Sequence, residues 1–162
     1  MVKNFHFKTI KLIKYYKLIN FNLIYKDKAI NRYKKELFGV SSNKLINLEK
    51  LKKNIQTIKN CNLKNNATNI VFADGSPNAR IMIIGEGPGQ NEDQQGLPFV
   101  GRAGALLDKM LASIELSRKD VYITNVVNYR PPENRSPLED EIKRYLPYLK
   151  KHIEIINPKI LI

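Results

Sequence analysis

Three short, largely apolar runs separated by helix-like segments constrain the fold of this chain most. Residues 80–84 (RIMII) form a continuous apolar run, typical of a strand buried on both faces. Residues 121–127 (VYITNVV) are predicted as the next strand, and residues 159–162 (KILI) as the beginning of a third. Residues 103–115, between the first two runs, place apolar side chains on one helical stripe, and residues 136–156 form a second helical segment. Strands and helices in this order predict right-handed crossovers, a parallel sheet and an α/β fold.

Local signals mark the ends of the second helix. Ser136 is predicted as its N-cap, with Pro137 at the first helical position and Glu139 completing a capping box. Asn157 and Pro158 are predicted to end the helix, because proline cannot continue it.

Three further segments are assigned from pattern and composition. Residues 47–60 are predicted to be helical, because apolar side chains recur there at spacings of three and four. Residues 68–73 (TNIVFA) indicate a short strand, and residues 74–78 the turn that follows it. Residues 90–96 are polar throughout and are predicted to form a loop.

The charge of the chain is concentrated at its N-terminal end. Residues 1–66 hold 16 basic and 3 acidic side chains, whereas residues 67–162 hold 12 of each. This division predicts a basic N-terminal extension, residues 1–46, followed by a partial globular domain, residues 47–162. Residues 1–26 contain no acid, and three uses stay open for them: a phosphate-binding arm, a membrane-surface helix or a solvated tail.

The chain has one cysteine, Cys61, and two histidines among its 162 residues. One cysteine excludes a disulfide framework and an all-cysteine metal or iron–sulfur site within one chain. The same composition fits a reducing compartment, so we predict a cytoplasmic location. No apolar run of transmembrane length is present.

Ligands of parallel α/β sheets bind outside the carboxyl ends of the strands. The glycine-rich turn of residues 85–89 follows the first buried strand, and Asn125 lies near the end of the next. Glu86, Glu92, Phe99 and Asn125 are therefore predicted to surround one crevice. The turn lacks the spacing of a Walker loop or a dinucleotide fingerprint, which argues against a nucleotide site.

A longer string is more specific than the turn. Residues 85–93 (GEGPGQNED) and 96–108 (GLPFVGRAGALLD), followed by residues 124–127 (TNVV) and 130–135 (RPPENR), resemble the motifs of family 4 uracil-DNA glycosylases. Related domains are also labelled as phage DNA polymerase-related. The resemblance implies an incomplete three-layer α/β/α fold with a parallel central sheet. It also implies a DNA repair hydrolase that cleaves the N-glycosidic bond of a flipped uracil in DNA.

The resemblance assigns uracil recognition to two residues. Phe99 is carried over as the ring on which the flipped base stacks. Asn125 is carried over as the reader of the uracil edge, because an amide offers both an acceptor and donors. A structural role stays open for each: Phe99 as a core residue and Asn125 as a cap of the strand end.

Catalysis is assigned to the two glutamates of the first motif. Glu86 directly follows the strand and is expected to orient the attacking water or stabilise the cationic sugar, with Glu92 in support. Asp93 is expected to be a solvated loop residue.

Glycines and arginines complete the predicted site. The candidate substrate-binding glycines have no Cβ and allow close approach of the substrate to the backbone; they are Gly85, Gly87 and Gly89. Candidate contacts to DNA phosphates, for which a solvated role stays open, are Arg102, Arg130 and Arg135.

The sequence departs from the family at its four cluster-binding cysteines. Ile58, Tyr129 and Tyr145 stand where three of them are expected, and Cys61 alone remains. We therefore predict no iron–sulfur cluster and no other metal or cofactor. Our hypothesis is that these three bulky side chains pack together where the cluster would lie.

The resemblance also implies a second motif, with a histidine that hydrogen-bonds uracil, and the chain has no counterpart to it. His152 is no substitute, because it is predicted to lie in the middle of a helix, far from the strand ends. On this basis we expect a C-terminally truncated chain with weakened or lost excision. Two alternatives stay open: a second chain that supplies the missing half, and a non-catalytic remnant or DNA-binding fragment that uses the basic N-terminal region.

Overall fold

The computed structural model describes residues 41–162, so the predictions for residues 1–26 and for most of the basic extension lie outside the described residues. The helices are α1 (Ser41–Gln56), α2 (Asn62–Asn66), α3 (Gln90–Gln95), α4 (Arg102–Ala112) and α5 (Glu139–Ile156). The strands are β1 (Asp74–Gly75), β2 (Ile81–Gly85), β3 (Val121–Asn125) and β4 (Ile160–Leu161). Two single 3₁₀ turns, Arg118–Asp120 and Pro132–Asn134, precede and follow β3.

The four strands form one sheet in the order β1-β3-β2-β4. β2 pairs in parallel with both β3 and β4, and its register with β3 sets Gly85 beside Asn125 at the carboxyl end. β1 pairs with β3 in the antiparallel sense. The predicted parallel sheet is thus confirmed, with one short antiparallel strand added at its edge.

Helices cover both faces of this sheet. Successive strand residues point to opposite faces. On one face Ile123 is buried in a cluster with Leu111 of α4. On the other face the ring of Tyr122 meets the ring of His152 in α5, with 5.9 Å between their centroids. The mixed α/β architecture that the resemblance implies is therefore confirmed.

The strand predicted over residues 68–73 is wrong. This segment is held by polar groups at the end of β3 and beyond it. The N–H of Val71 donates to the carbonyl of Asn128 at 2.8 Å, and the Asn128 amide donates back to the carbonyl of Val71 at 3.1 Å. The hydroxyl of Thr124 donates to the carbonyl of Phe72 at 2.7 Å. Side-chain hydrogen bonds replace most of the backbone hydrogen bonds that a strand would make here. Only β1 is therefore a strand, at residues that were predicted to form a turn.

The loop predicted over residues 90–96 is also wrong, because most of this segment forms the helix α3. Asp93, expected in solvent, is only 2% exposed. Its carboxylate accepts the N–H of Thr68 at 2.9 Å and that of Asn69 at 3.0 Å. Gly96 ends the helix with a φ of 71°. The sequence of this helix has no apolar periodicity, because the side chain that it buries is a carboxylate bound to backbone N–H groups.

The two ends of α5 differ in how well the sequence predicts them. Asn157 ends the helix in the left-handed conformation, with φ 48°, as expected. Ser136 is not the N-cap, because the N–H of Leu138 donates to the carboxylate of Glu141 at 2.8 Å. The cap therefore uses Glu141 rather than Glu139, and the helix begins later than predicted.

The helix predicted over residues 47–60 is present as α1, which starts earlier and ends at Gln56. It packs against α5. The ammonium of Lys44 in its first turn donates to the carbonyl of Ile156 at 2.9 Å. None of the helices in residues 41–162 has the length and apolar character needed to cross a membrane.

Candidate active site

The carboxyl ends of β2 and β3 bring together three of the predicted site residues. A Cβ on Gly85 would lie 2.3 Å from Oδ1 of Asn125 and 2.8 Å from Cε2 of the Phe99 ring. Both distances are far below van der Waals contact. Glycine at the end of β2 therefore allows the amide of one strand and the aromatic ring of a loop to meet at this edge.

Asn125 is the most informative side chain at this edge. It is 3% exposed, and its Nδ2 is buried without a hydrogen-bond partner among residues 41–162. Leaving a buried donor unpaired costs about 1–3 kcal/mol. A side chain that simply capped the strand would use this donor on the backbone. The geometry favours a ligand carbonyl as its partner.

Phe99 lies between the core and the open edge. It is half-buried and packs against the cluster of Ile83, Leu111, Val121 and Ile123. Its φ of 55° is in the left-handed region. The core role left open for Phe99 and its role as a pocket wall are thus compatible, because different parts of one ring serve them.

Gly104 explains how α4 approaches this strained residue. A Cβ on Gly104 would lie 1.7 Å from the carbonyl oxygen of Phe99. No other residue type fits there, so the glycine in the first turns of α4 fixes the backbone beneath the ring.

Glu92 has a structural position. Its Oε1 accepts the N–H of Val100 at 2.9 Å and the N–H of Gly101 at 2.8 Å. A Cβ on Gly89 would lie 2.8 Å from its Oε2. This carboxylate therefore holds the loop that follows Phe99, and it is better described as a positioning residue than as a catalytic one.

Glu86 has the opposite surroundings. It follows β2 directly and is exposed. Its backbone carbonyl accepts the N–H of Val127 at 3.3 Å. None of the residues from 41 to 162 forms a salt bridge with its carboxylate. Of the two predicted carboxylates, Glu86 is the one available to water or to a substrate.

Gly87 is required for packing at the same turn. A Cβ there would lie 2.9 Å from Cγ2 of Val127 and 3.6 Å from Cγ of Pro137. This glycine therefore lets the turn pack against the segment after β3.

The three predicted DNA-binding arginines differ in their contacts. Arg102 is exposed at the start of α4. The Nε of Arg130 donates to Oδ1 of Asn134 at 2.8 Å. Arg135 forms a two-pronged ion pair with Glu141, at 2.8 and 2.7 Å, and this hydrogen-bonded guanidinium lowers the pKa of the Glu141 carboxyl. Arg102 and Arg130 are the stronger candidates for phosphate contacts, since Arg135 is already paired.

At the predicted cluster positions Cys61 and Tyr145 are in contact, whereas the packing of Ile58 with the two tyrosines stays a prediction. Sγ of Cys61 is 3.3 Å from the hydroxyl of Tyr145. Both residues are buried, as is Tyr129. Burial raises the pKa of the Tyr145 hydroxyl, and the contact with Cys61 raises it further. Ile58, the fourth residue of the set, is half-buried. No group of three or more metal-binding side chains occurs within residues 41–162.

Sequence reasoning missed Arg118, whose guanidinium contacts the loop that carries Phe99. It also missed Asn128 and Asp93, which anchor the segment before β1. The partners in these contacts are 19 to 57 positions away in the sequence, so no local pattern could reveal them. His152 lies within α5, as predicted, and its ring is against Phe72, with 4.5 Å between ring centroids.

Comparison with known proteins gives one family. The model of the Uracil DNA glycosylase superfamily matches residues 72–162. A type-4 uracil-DNA glycosylase of Sulfurisphaera tokodaii is 52% identical over 116 residues, which cover 71% of this chain and 53% of the relative. A type-4 uracil-DNA glycosylase of Archaeoglobus fulgidus is 44% identical over 115 residues, which cover 71% of this chain and 58% of the relative.

A protein named DNA polymerase from Bacillus phage SP01 is 43% identical over 89 residues, which cover 54% of this chain and 10% of the phage protein. The chain spans about half the length of the curated type-4 relatives it matches.

Proposed function

The chain belongs to the uracil DNA glycosylase superfamily, and on that premise we propose that the edge formed by Gly85, Phe99 and Asn125 binds a uracil flipped out of DNA. The observation that carries the proposal is the buried, unpaired amide donor of Asn125 beside an aromatic ring at the carboxyl ends of parallel strands. Ligands of such sheets bind at this place.

Recognition rests on an amide and a ring. The Asn125 amide donates to one carbonyl of the base and accepts its N3–H, a pairing that cytosine cannot offer because its N3 carries no hydrogen. The ring of Phe99 supplies a stacking surface, and stacking contributes about 1–3 kcal/mol per base. The base must leave the duplex first, because neither group can reach it inside the stack.

Glu86 is proposed as the catalytic carboxylate. The bond between uracil N1 and the sugar C1′ breaks, the electron pair leaves with uracil, and a water oxygen adds to C1′. An exposed carboxylate near the sugar stabilises the cationic transition state and accepts the proton of that water. Arg102 and Arg130 are proposed to contact the phosphates on either side of the flipped nucleotide.

We propose that no iron–sulfur cluster is bound near Cys61. Two buried tyrosines accompany this cysteine at the positions where the family pattern has thiolate ligands. Phenol hydroxyls are poor replacements for thiolates, and the buried hydroxyl of Tyr145 is already in contact with Cys61.

Uracil excision from a single-stranded oligonucleotide, detected by alkaline cleavage, tests the proposed function. We expect the Asn125→Ala variant to lose activity by about 100-fold, since one preorganised hydrogen-bond partner is removed. Asn78→Ala, which replaces an exposed asparagine, is the matched control and should excise uracil at the rate of the unmodified chain. Equal excision with and without the Asn125 amide would contradict the proposed site.

The level of excision is a separate matter. The 162 residues contain the first family motif but no counterpart of the second, whose histidine would hydrogen-bond uracil. Loss of one such donor to the developing negative charge costs about 2.7–4 kcal/mol of transition-state stabilisation. We therefore propose that this chain alone excises uracil slowly. A second chain that completes the site stays a prediction, without support from the comparisons.

A non-catalytic DNA-binding role is the second candidate, favoured by the 16 basic and 3 acidic side chains of residues 1–66. It predicts DNA affinity that falls steeply with salt, does not depend on uracil and survives Asn125→Ala. Deletion of residues 1–40, which leaves α1 intact, should lower that affinity, because it removes ten of the sixteen basic side chains. Affinity that instead follows uracil and Asn125 would exclude this candidate.

A further inference from the structure

The guanidinium of Arg118 connects two carboxylates with the backbone that carries Phe99. It donates to Asp74 at 2.9 Å and to Asp108 at 2.7 Å. The Nη1 that donates to Asp74 also donates to the carbonyl of Pro98 at 3.1 Å, and Nη2 donates to the carbonyl of Phe99. A single side chain thus links the turn at β1, the helix α4 and the loop that precedes α4.

The backbone at this point needs such a contact. A non-glycine residue with positive φ costs of the order of 1–3 kcal/mol, and Phe99 is in that region with φ 55°. Its carbonyl is directed at both Gly104 and Arg118. A carbonyl that accepts from a charged donor holds its peptide plane, and this plane sets the direction in which the Phe99 ring leaves the backbone.

The guanidinium itself is fixed. It forms ion pairs with two aspartates, and its side chain is 24% exposed. Five donors in a rigid plane can serve two carboxylates and two carbonyls at once, which a lysine ammonium cannot do. The position therefore requires arginine for its geometry as well as for its charge.

We infer that Arg118 is a positioning residue for uracil recognition: it sets the angle of the Phe99 ring against the Asn125 amide. The inference rests on the proposed function, in which Phe99 is the stacking surface. Arg118 acts through the carbonyls of Pro98 and Phe99 and does not touch the base.

Steady-state excision kinetics test the inference. We expect Arg118→Lys to lower kcat/KM by about 100-fold, the cost of a small misplacement of a substrate-positioning group. Lys119→Ala, which removes a charge from the adjacent exposed position, is the matched control and should leave kcat/KM unchanged. Asp108→Asn, at a half-exposed carboxylate, should give a smaller loss and serves as the second variant if Arg118→Lys does not fold.

A double-mutant cycle separates positioning from general stabilisation. In a Phe99→Ala background, Arg118→Lys should cause no further loss of kcat/KM, because the ring on which it acts is absent. An equal loss in both backgrounds, or full activity of Arg118→Lys, would overturn the inference.

A readout without catalysis keeps this inference distinct from the proposed function. In a chain labelled with 4-fluorophenylalanine, the ¹⁹F resonance that disappears in Phe99→Leu reports on this ring. Arg118→Lys should shift or broaden that resonance, and Lys119→Ala should not. An unchanged resonance would overturn the inference even if uracil is excised. A shifted resonance in a chain that excises no uracil would support the contact while the proposed function failed.

Discussion

Glu86 and Glu92, six positions apart in one motif, show how surroundings decide the role of a carboxylate. Glu92 accepts two backbone N–H groups of the loop after Phe99, so removal of its charge should loosen that loop. Glu86 is exposed at the end of β2 and has no such structural duty. The sequence motif predicts a catalytic role for both glutamates, whereas their hydrogen bonds indicate a different role for each.

Paired glutamine substitutions test this separation. We expect Glu86→Gln to leave the free energy of unfolding unchanged and to slow excision by about 100-fold, as loss of a general base does. We expect Glu92→Gln to lower the free energy of unfolding by about 1.5–3 kcal/mol, the contribution of a hydrogen bond to a charged group. Urea unfolding and single-turnover excision measure the two effects. If Glu92→Gln left the free energy of unfolding unchanged but abolished excision, Glu92 would be assigned a catalytic role.

At the scale of elements, periodicity predicts what hydrophobic burial holds together. The strands β2 and β3 and the helices α4 and α5 follow from their apolar patterns, and Asn157 ends α5 as its residue type suggests. The helix α3 and the segment before β1 are not predictable in this way. The Asp93 carboxylate of α3 accepts an N–H of that segment, and Thr124 and Asn128 donate to its carbonyls. The meeting of Gly85 and Asn125 follows from the parallel pairing of β2 and β3, whereas the Arg118 contact depends on partners that meet only in the folded chain.

Asp93 provides a test of how α3 is held. Its carboxylate accepts the N–H groups of Thr68 and Asn69, so Asp93→Asn should weaken both bonds. We expect the free energy of unfolding to fall by about 1–3 kcal/mol. Amide exchange at residues 68 and 69 should accelerate with it. Gln94→Ala, exposed on the same helix, is the control. Unchanged exchange at both amides would show that the carboxylate is not what holds this segment.

At the scale of the whole molecule, the face of the sheet covered by α5 buries polar groups that the site does not use. The Nε2 of His152 and the hydroxyl of Tyr122 are both buried without hydrogen-bond partners among residues 41–162. Burial raises the pKa of the Tyr122 hydroxyl, so it stays neutral below pH 10. Burial lowers the pKa of His152 to about 4, so the folded domain holds this ring in its neutral form. Folding is thereby coupled to pH at a point remote from the crevice.

The direction of this coupling is fixed by the two pKa values. In the unfolded chain His152 takes up a proton near its ordinary pKa of 6.5, and in the folded domain only near 4. The unfolded state therefore binds more protons between these values, and stability is highest above pH 6.5 and falls as the pH drops toward 4. The full loss is about 3 kcal/mol, since one pKa unit corresponds to 1.36 kcal/mol.

Urea unfolding at pH 7 and pH 5 should show this loss in part. His152→Leu should remove that part of the pH dependence, whereas His6→Ala, which replaces the other histidine of the chain, should retain it. If His152→Leu kept the full pH dependence, the acid sensitivity would come from other groups, and Glu141, whose pKa is lowered by its hydrogen bonds to Arg135, is the next to test.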